Sequence, residues 1–235
     1  MQDLDFNTLE ARRVDDSVVA TLMRNVYLWM TAALAITGLT ALVTARSEMM
    51  INFIFGNQLI WIGLLIAELV LVIWLSARIE KMSFSTATVM FILYSVVNGL
   101  TLSVIFIAYE IGSIATTFFI AAGMYAGMAL IGFFTKKDLS AIGKFGLMAL
   151  IGLIIAMVVN MFVQSSGLDL LISGIGVIVF AGLTAYDSQK IRNTLAFADD
   201  VNDITMKLAL MGALTLYLDF INLFLYLLRI FGNKK

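Results

Sequence analysis

The chain has 235 residues, of which 61% are hydrophobic and 13% are charged, and its net charge is −1. Soluble domains contain about 45–50% apolar and about 25% charged residues, so this composition indicates an integral membrane protein. The chain contains no cysteine, no histidine and no proline. These absences exclude disulfides, thiolate chemistry, catalysis by histidine and helix kinks caused by proline.

Residues 1–24 are predicted to form a polar N-terminal tail, and residues 25–235 to form one membrane domain. The tail lacks the pattern of a cleaved signal peptide. Seven apolar blocks follow it, each near or above the about 17–25 residues that a helix needs to cross the hydrocarbon of a bilayer. In chain order, the predicted spans are 26–44, 59–77, 83–108, 114–134, 145–163, 170–186 and 208–228. The sequence therefore predicts an all-α protein, with residues 187–207 as its longest loop.

The orientation of the bundle is predicted from the lysines and arginines that flank the spans. Eleven of them lie on the N-terminal tail and the even-numbered loops, against Arg46 alone on the odd-numbered loops. Because basic loops stay on the cytoplasmic side, the N-terminus is predicted to be cytoplasmic. Seven full crossings then place the basic C-terminus outside, whereas a final helix that enters and returns would keep it inside. Seven crossings are favoured, because residues 208–228 are long enough to span.

Two acidic residues lie deep within predicted spans, where a charge costs about 3 kcal/mol and therefore marks a functional candidate. They are Glu68, near the middle of the second span, and Asp219, in the middle of the seventh. Asp187 and Arg78 lie at the predicted cytoplasmic ends of the sixth and second spans. Two interpretations of Glu68 stay open: a proton-binding or ion-path group, or a protonated acid bonded to a neighbouring helix.

The seventh span carries a polar stripe. Thr215, Asp219, Asn222, Tyr226 and Arg229 follow each other at intervals of four, three, four and three residues. This spacing places them on one helix face, which we expect to line the bundle interior or a watery cavity. The alternative is a structural helix whose polar side chains only hold neighbouring helices together.

Four further polar residues lie within the apolar blocks. Asn98 and Thr101 in the third span, and Asn160 and Gln164 in the fifth, are predicted to form hydrogen bonds between helices. Asn98 is also a candidate, with Glu68, Thr215 and Asn222, for lining an ion path.

No enzyme site is predicted. Intramembrane aspartyl proteases carry a Tyr-Asp motif and a Gly-x-Gly-Asp motif, and Tyr186 with Asp187 matches the first. Asp219, however, follows Tyr217 and Leu218 and lacks the glycines of the second motif. We expect no enzymatic activity, no bound cofactor and no nucleic-acid partner.

Several stretches resemble the Bax-inhibitor (transmembrane Bax-inhibitor-motif) family, and in particular its bacterial members. The residues that carry the resemblance are 182–187 (GLTAYD), 213–225 (ALTLYLDFINLFL), 98–103 (NGLTLS) and 136–140 (KKDLS). The likeness covers nearly all of residues 20–235. It implies a bundle of seven helices in which two three-helix layers surround a central C-terminal helix.

The resemblance also implies a pH-sensitive calcium leak across the bacterial inner membrane. The residues implied are Asp187 and Asp219 as the pH-sensing and gating pair, with Arg78 as the gating partner. Two carboxylates in a dry site share a proton, so acids that normally titrate near about 4 can respond near neutrality. Calcium, which prefers oxygen ligands, is expected as the permeant ion or as a transient ligand of the pair.

Two other functions stay open from the sequence. One is a non-conducting membrane regulator that binds a membrane protease or another membrane protein. The other is a secondary transporter of a small solute or of protons, for which Glu68 would supply an additional carboxylate. Flux through the purified protein in lipid separates the regulator from the other two.

Overall fold

A computed structural model describes residues 16–235, which form helices joined by short turns. Seven of the helices are long and apolar enough to span a membrane, which confirms the all-α fold with seven spans. The helices are α1 (Asp16–Ala45), α2 (Glu48–Phe55), α3 (Gln58–Arg78), α4 (Phe84–Ala108), α5 (Ile111–Phe134), α6 (Ser140–Val163), α7 (Ser166–Leu195) and α8 (Asp203–Phe231). The short α2 lies in the first loop, and a 3₁₀ turn (Ile79–Lys81) follows α3.

Two predicted boundaries are wrong, because hydropathy locates the apolar part of a helix and not its polar ends. Helix α1 begins at Asp16, so residues 16–24 are helical and not part of a separate tail. The remainder of the predicted tail lies outside the described residues. Helix α7 continues to Leu195, which shortens the longest predicted loop to residues 196–202. Asp187 is therefore inside a helix, about two turns before its end.

The long helices form two groups of three around α8. Helices α1, α3 and α4 make one group, α5, α6 and α7 make the other, and α8 packs against α1, α4, α5 and α7. Within the most apolar window of each span, 67% of residues are buried in α8, against 6% in α3 and 11% in α6. The predicted layers around a central C-terminal helix are therefore confirmed, with α3 and α6 on the outside.

Glycines allow two of the closest helix contacts. A Cβ atom at Gly132 of α5 would lie 2.0 Å from the backbone oxygen of Ala185 in α7. A Cβ atom at Gly176 of α7 would lie 2.7 Å from the ring of Tyr226 in α8. Small residues at these two points bring the helix backbones close together, as is common in membrane bundles.

The bundle has two ends, which we name by their charge. The basic end holds the start of α1 and the loops that precede α4, α6 and α8; the opposite end holds the other loops. The C-terminus lies at the opposite end, because Glu110 N–H donates to the Asn233 carbonyl and Lys235 N–H to the Ala108 carbonyl, both at 3.0 Å. The last helix thus crosses the whole bundle and does not return.

Asn160 and Gln164 in the fifth span were predicted to form hydrogen bonds between helices, and this prediction is wrong. Asn160 Oδ1 accepts a hydrogen bond from Ser165 N–H at 3.0 Å, and Gln164 adopts a left-handed conformation with φ of 53°. Both residues terminate α6 and turn the chain into α7, because a helix end leaves backbone groups that side chains must satisfy.

Candidate functional site: a buried aspartate pair

Helices α7 and α8 bring two acidic side chains together inside the bundle. The carboxyl groups of Asp187 and Asp219 lie close enough to interact with each other directly. Asp219 is only 6% exposed, and its Oδ2 atom is among the buried polar atoms that have no hydrogen-bond donor in the described part of the chain. A hydrogen bond between two carboxyl groups requires that one of them carries a proton. The arrangement therefore suits a pair that shares a proton.

The turn of α7 that carries Asp187 is held in place by α5 and the loop after it. Ser188 Oγ donates to the Ala129 carbonyl at 2.9 Å. The Gln189 side chain accepts from Leu139 N–H at 2.9 Å and donates to the Lys137 carbonyl at 2.8 Å. These bonds satisfy polar groups that would otherwise be costly to bury, and they fix the rotation of α7.

Two tyrosines lie between the aspartate pair and the α1–α5 side of the bundle. The Tyr125 hydroxyl interacts electrostatically with both carboxyl groups, but it donates its hydrogen bond to Met30 Sδ at 3.3 Å. The Tyr27 hydroxyl lies 3.2 Å from Ser188 Oγ. The tyrosines thus cover the pair on this side, while their hydrogen bonds go to other partners.

A cavity of about 220 Å³ between α7 and α8 leads from the basic end to the pair. Its lining includes Asp187, Lys190, Thr194, Met211 and Thr215. Lys190 is exposed and acts electrostatically on Asp187 from one turn further along the helix. Asp187 is thus reached from the basic end, with Asp219 buried behind it.

A second cavity, of about 570 Å³, lies at the opposite end between α6, α7 and α8. Its polar lining includes Asp169, Asn160 and Arg229. Between the two cavities, the ring of Tyr226 packs against Phe180 with 5.8 Å between centroids. The two cavities follow the same seam between α7 and α8, and this aromatic contact separates them.

The polar stripe of α8 is distributed between these cavities. Thr215 and Asn222 are partly exposed, and their side chains donate to carbonyls of their own helix at 3.1 and 2.8 Å. Thr215 lines the basic-end cavity and Arg229 the cavity at the opposite end. Thr215 and Arg229 therefore face the cavities, and among the described residues the hydrogen bonds of the Thr215 and Asn222 side chains stay within α8, which favours the cavity interpretation for this part of the stripe.

Glu68 belongs to a separate polar cluster on α3 and α4. Asn98 Nδ2 donates to its Oε1 atom, and Thr101 Oγ1 donates to its Oε2 atom at 3.0 Å. The predicted hydrogen bonds of Asn98 and Thr101 between helices are thus confirmed, and both connect to the glutamate. Each carboxylate oxygen of Glu68 has its own donor.

The Glu68 cluster meets α8 through Tyr217, which interacts electrostatically with Glu68. The Tyr217 hydroxyl lies 2.7 Å from Thr37 Oγ1, which donates to the Ser95 carbonyl at 2.9 Å. At about 100° per residue, Tyr217 and Asp219 point to nearly opposite faces of α8. The glutamate cluster and the aspartate pair therefore lie on different sides of the central helix.

Comparison with known proteins identifies the family. The model of the family described as inhibitor of apoptosis-promoting Bax1 matches residues 19–235. The chain belongs to this Bax inhibitor family. It is 50% identical to the inner membrane protein YbhL of Escherichia coli K12 over 217 residues, which cover 92% of each chain. It is 44% identical to a protein of Deinococcus radiodurans over 92% of each chain. It is 43% identical to a protein of Borreliella burgdorferi over 88% of this chain and 89% of the relative.

In this Bax inhibitor family member, the structure does not bring Arg78 to the aspartate pair. Arg78 is exposed at the end of α3, and within residues 16–235 it forms no hydrogen bond or ion pair with Asp187 or Asp219. Lys190 is the cation that acts on Asp187. The predicted gating pair thus lies together, whereas the predicted gating partner lies apart from it.

The aspartate pair offers few ligands to a metal ion. Within the part of the chain that the structure describes, no group of three or more acidic, histidine or cysteine side chains could hold one. Calcium usually takes six to eight oxygen ligands. The two carboxyl groups therefore suit contact with a passing ion better than a resident one.

Proposed function

We propose that the protein is a pH-sensitive calcium-leak pathway of the bacterial inner membrane, gated by Asp187 and Asp219. The observation that carries the proposal is the approach of the two carboxyl groups to each other at the inner end of a cavity, with Asp219 Oδ2 lacking a donor in the described part of the chain. The inner-membrane relative YbhL supports the location, and the basic loops support a cytoplasmic N-terminus.

The proposed gate is the shared proton between α7 and α8. With one proton, the two carboxyl groups form a hydrogen bond that holds the helices together. Loss of that proton places two negative charges side by side at low dielectric, and addition of a second proton removes the charge that strengthens the bond. Either change weakens the contact, so the seam between α7 and α8 opens in a pH-dependent way.

The proposed ion path follows this seam between its two cavities. Asp187 and Thr215 supply oxygen atoms at the basic end, Asn222 lies further along α8, and Asp169 lines the opposite cavity. Movement of Tyr226 away from Phe180 would connect the cavities. Glu68 and Asn98 lie on the other side of α8, so the path that we propose does not include them.

Calcium flux into liposomes, measured as a function of pH, tests the proposal with two variants at one position. Asp219→Asn replaces the shared proton with an amide donor that does not titrate, so flux should stay low at every pH. Asp219→Ala removes the bond, so flux should be high at every pH. Glu80→Gln changes an exposed acid at the basic end and serves as the control.

The proposal fails if both Asp219 variants keep the pH profile of the wild type. Absence of any calcium flux through the wild-type protein would instead favour a non-conducting regulator that binds a membrane protease or another membrane protein. Saturable, proton-coupled uptake of a solute would favour a secondary transporter.

A further inference from the structure

An apolar groove runs between α1 and α5 on the side of the bundle away from the α7–α8 seam. Its volume is about 670 Å³, and α8 contributes Phe220 to its lining. The α5 wall includes three small side chains, Ala122, Ala126 and Ala129, among larger apolar and aromatic ones. A further cavity of about 270 Å³ shares Leu34, Phe118 and Phe220 with it and extends along the same two helices.

The groove opens toward the surroundings of the bundle at the depth of the membrane. Leu130 and Phe134 on its α5 edge are 56% and 70% exposed, although both belong to a spanning helix. A peptide segment placed there would need partners for its backbone polar groups, which this apolar lining does not provide. A hydrocarbon chain has no such requirement. The groove is therefore suited to an acyl chain.

The charged residues at the basic end of the groove determine which lipid headgroup the groove favours. Arg24 is exposed and is the one charged residue in the described lining. Helix α5 ends at Phe134, and two exposed lysines, Lys136 and Lys137, follow after one residue. The nearby Asp138 is already engaged by the backbone N–H of Ser140. Basic residues at a membrane surface attract anionic lipid headgroups, each by about fivefold in affinity.

We propose that this groove binds an anionic phospholipid, with one acyl chain between α1 and α5 and its phosphate at Arg24 and Lys136. The inner wall of the site includes Tyr27 and Tyr125, the side chains that cover the aspartate pair. The lipid chain would thus lie one layer of side chains from Asp219. The binding proposal itself does not depend on ion conduction.

The absence of cysteine in the chain allows a site-specific test. A single thiol introduced by Leu130→Cys at the groove edge is labelled with bimane, and the full-length protein is reconstituted in phosphatidylcholine vesicles. Brominated phosphatidylglycerol or brominated phosphatidylcholine is then added at equal mole fractions. The matched control is Ile155→Cys on α6, which is 59% exposed and lies away from the groove.

The label at position 130 should be quenched at a mole fraction at least about fivefold lower by the anionic lipid than by phosphatidylcholine. At position 155 the two lipids should quench equally. Arg24→Gln combined with Lys136→Gln should remove the headgroup preference at position 130 while leaving quenching by acyl chains. Ala126→Phe should fill the groove and reduce quenching by both lipids.

Three results would overturn the proposal. The first is equal quenching by both headgroups at position 130, or a preference that survives Arg24→Gln combined with Lys136→Gln. The second is disulfide cross-linking between protein molecules through the thiol introduced at position 130, with no lipid access, which assigns the groove to a second copy. The third is quenching that appears only after removal of residues 1–15, which assigns the groove to that segment.

Discussion

The two acidic sites of this bundle differ in how their oxygens are paired. Glu68 receives one hydrogen bond on each carboxylate oxygen, from Asn98 and Thr101. Asp187 and Asp219 instead face each other, and Asp219 Oδ2 has no donor in the described part of the chain. A carboxylate with a donor for each oxygen is stabilised in its charged form, whereas two carboxylates side by side need a proton. The same chemical group thus has a separate donor for each oxygen in one place and faces a second acid in the other.

The two sites also differ in their position. Glu68 lies on α3, the most exposed of the spanning helices, and connects it to α4. The aspartates connect α7 to the buried α8 and stand at the end of a cavity. Glu68 therefore suits attachment of a peripheral helix, whereas the aspartates suit control of a seam through the bundle.

The largest expected effect is the loss of stability when the helix contact next to the aspartate pair is broken. Gly132→Ala would place a methyl group against the Ala185 backbone, two residues before Asp187, and force α5 away from α7. We expect a loss of about 3 kcal/mol in the free energy of unfolding, measured by denaturation in detergent.

The matched control for this variant is Gly127→Ala in the same helix, where an added Cβ meets no atom within 4 Å. It should change stability little or increase it slightly, because alanine favours helix formation more than glycine. Equal losses from the two substitutions would contradict the close approach of α5 and α7.

The next prediction compares the change in stability when the acid is removed from each of the two sites. Glu68→Leu leaves Asn98 Nδ2 without its acceptor, whereas Thr101 Oγ1 keeps the Asn98 carbonyl at 2.8 Å, and should cost about 1–3 kcal/mol. Asp219→Leu removes the shared-proton contact with Asp187 but also removes a buried acid, so its cost should be smaller, at most about 1 kcal/mol. Thermal unfolding of the two variants in the same detergent measures the difference. A larger loss for Asp219→Leu would show that the aspartate contact contributes more to stability than the hydrogen bonds of Glu68.

Much of this arrangement follows from patterns along the sequence. Apolar length located all seven spans, and the spacing of polar residues in the last span predicted that Asp219 faces the interior. The hydrogen bonds of Asn98 and Thr101 were predicted because polar side chains in lipid need partners. Such predictions depend on the chemistry of one helix at a time.

The remaining features depend on contacts between distant parts of the chain. The polar turn of α7 was predicted to be a loop, since its partners at Ala129, Lys137 and Leu139 are not visible in local hydropathy. The position of Tyr125 beside both aspartates has no signal in its own helix. Lys190, by contrast, follows Asp187 by three residues, a spacing at which helical side chains meet, and could have been identified from the sequence.

The smallest expected effect concerns Asp138, an exposed acid in the loop before α6. Hydrogen bonds from the hydroxyl and backbone N–H of Ser140 hold the pKa of Asp138 below its ordinary value of 3.8, and Lys144 acts in the same direction. Its contribution to stability is thus present above the ordinary pKa and is lost only as the pH falls through the lowered value. The carboxylate stays charged in the near-neutral range in which the aspartate pair is proposed to titrate.

Asp138→Asn should therefore leave the pH profile of calcium flux unchanged, although it lies at the same end of the bundle as Asp187. Flux into liposomes at a series of pH values measures this, with Asp219→Asn in the same lipid as the positive control. A shift of the profile in Asp138→Asn would place the pH response at the surface of the basic end. Because a surface carboxylate cannot hold α7 against α8, such a shift would separate proton sensing from the seam and contradict the shared-proton gate.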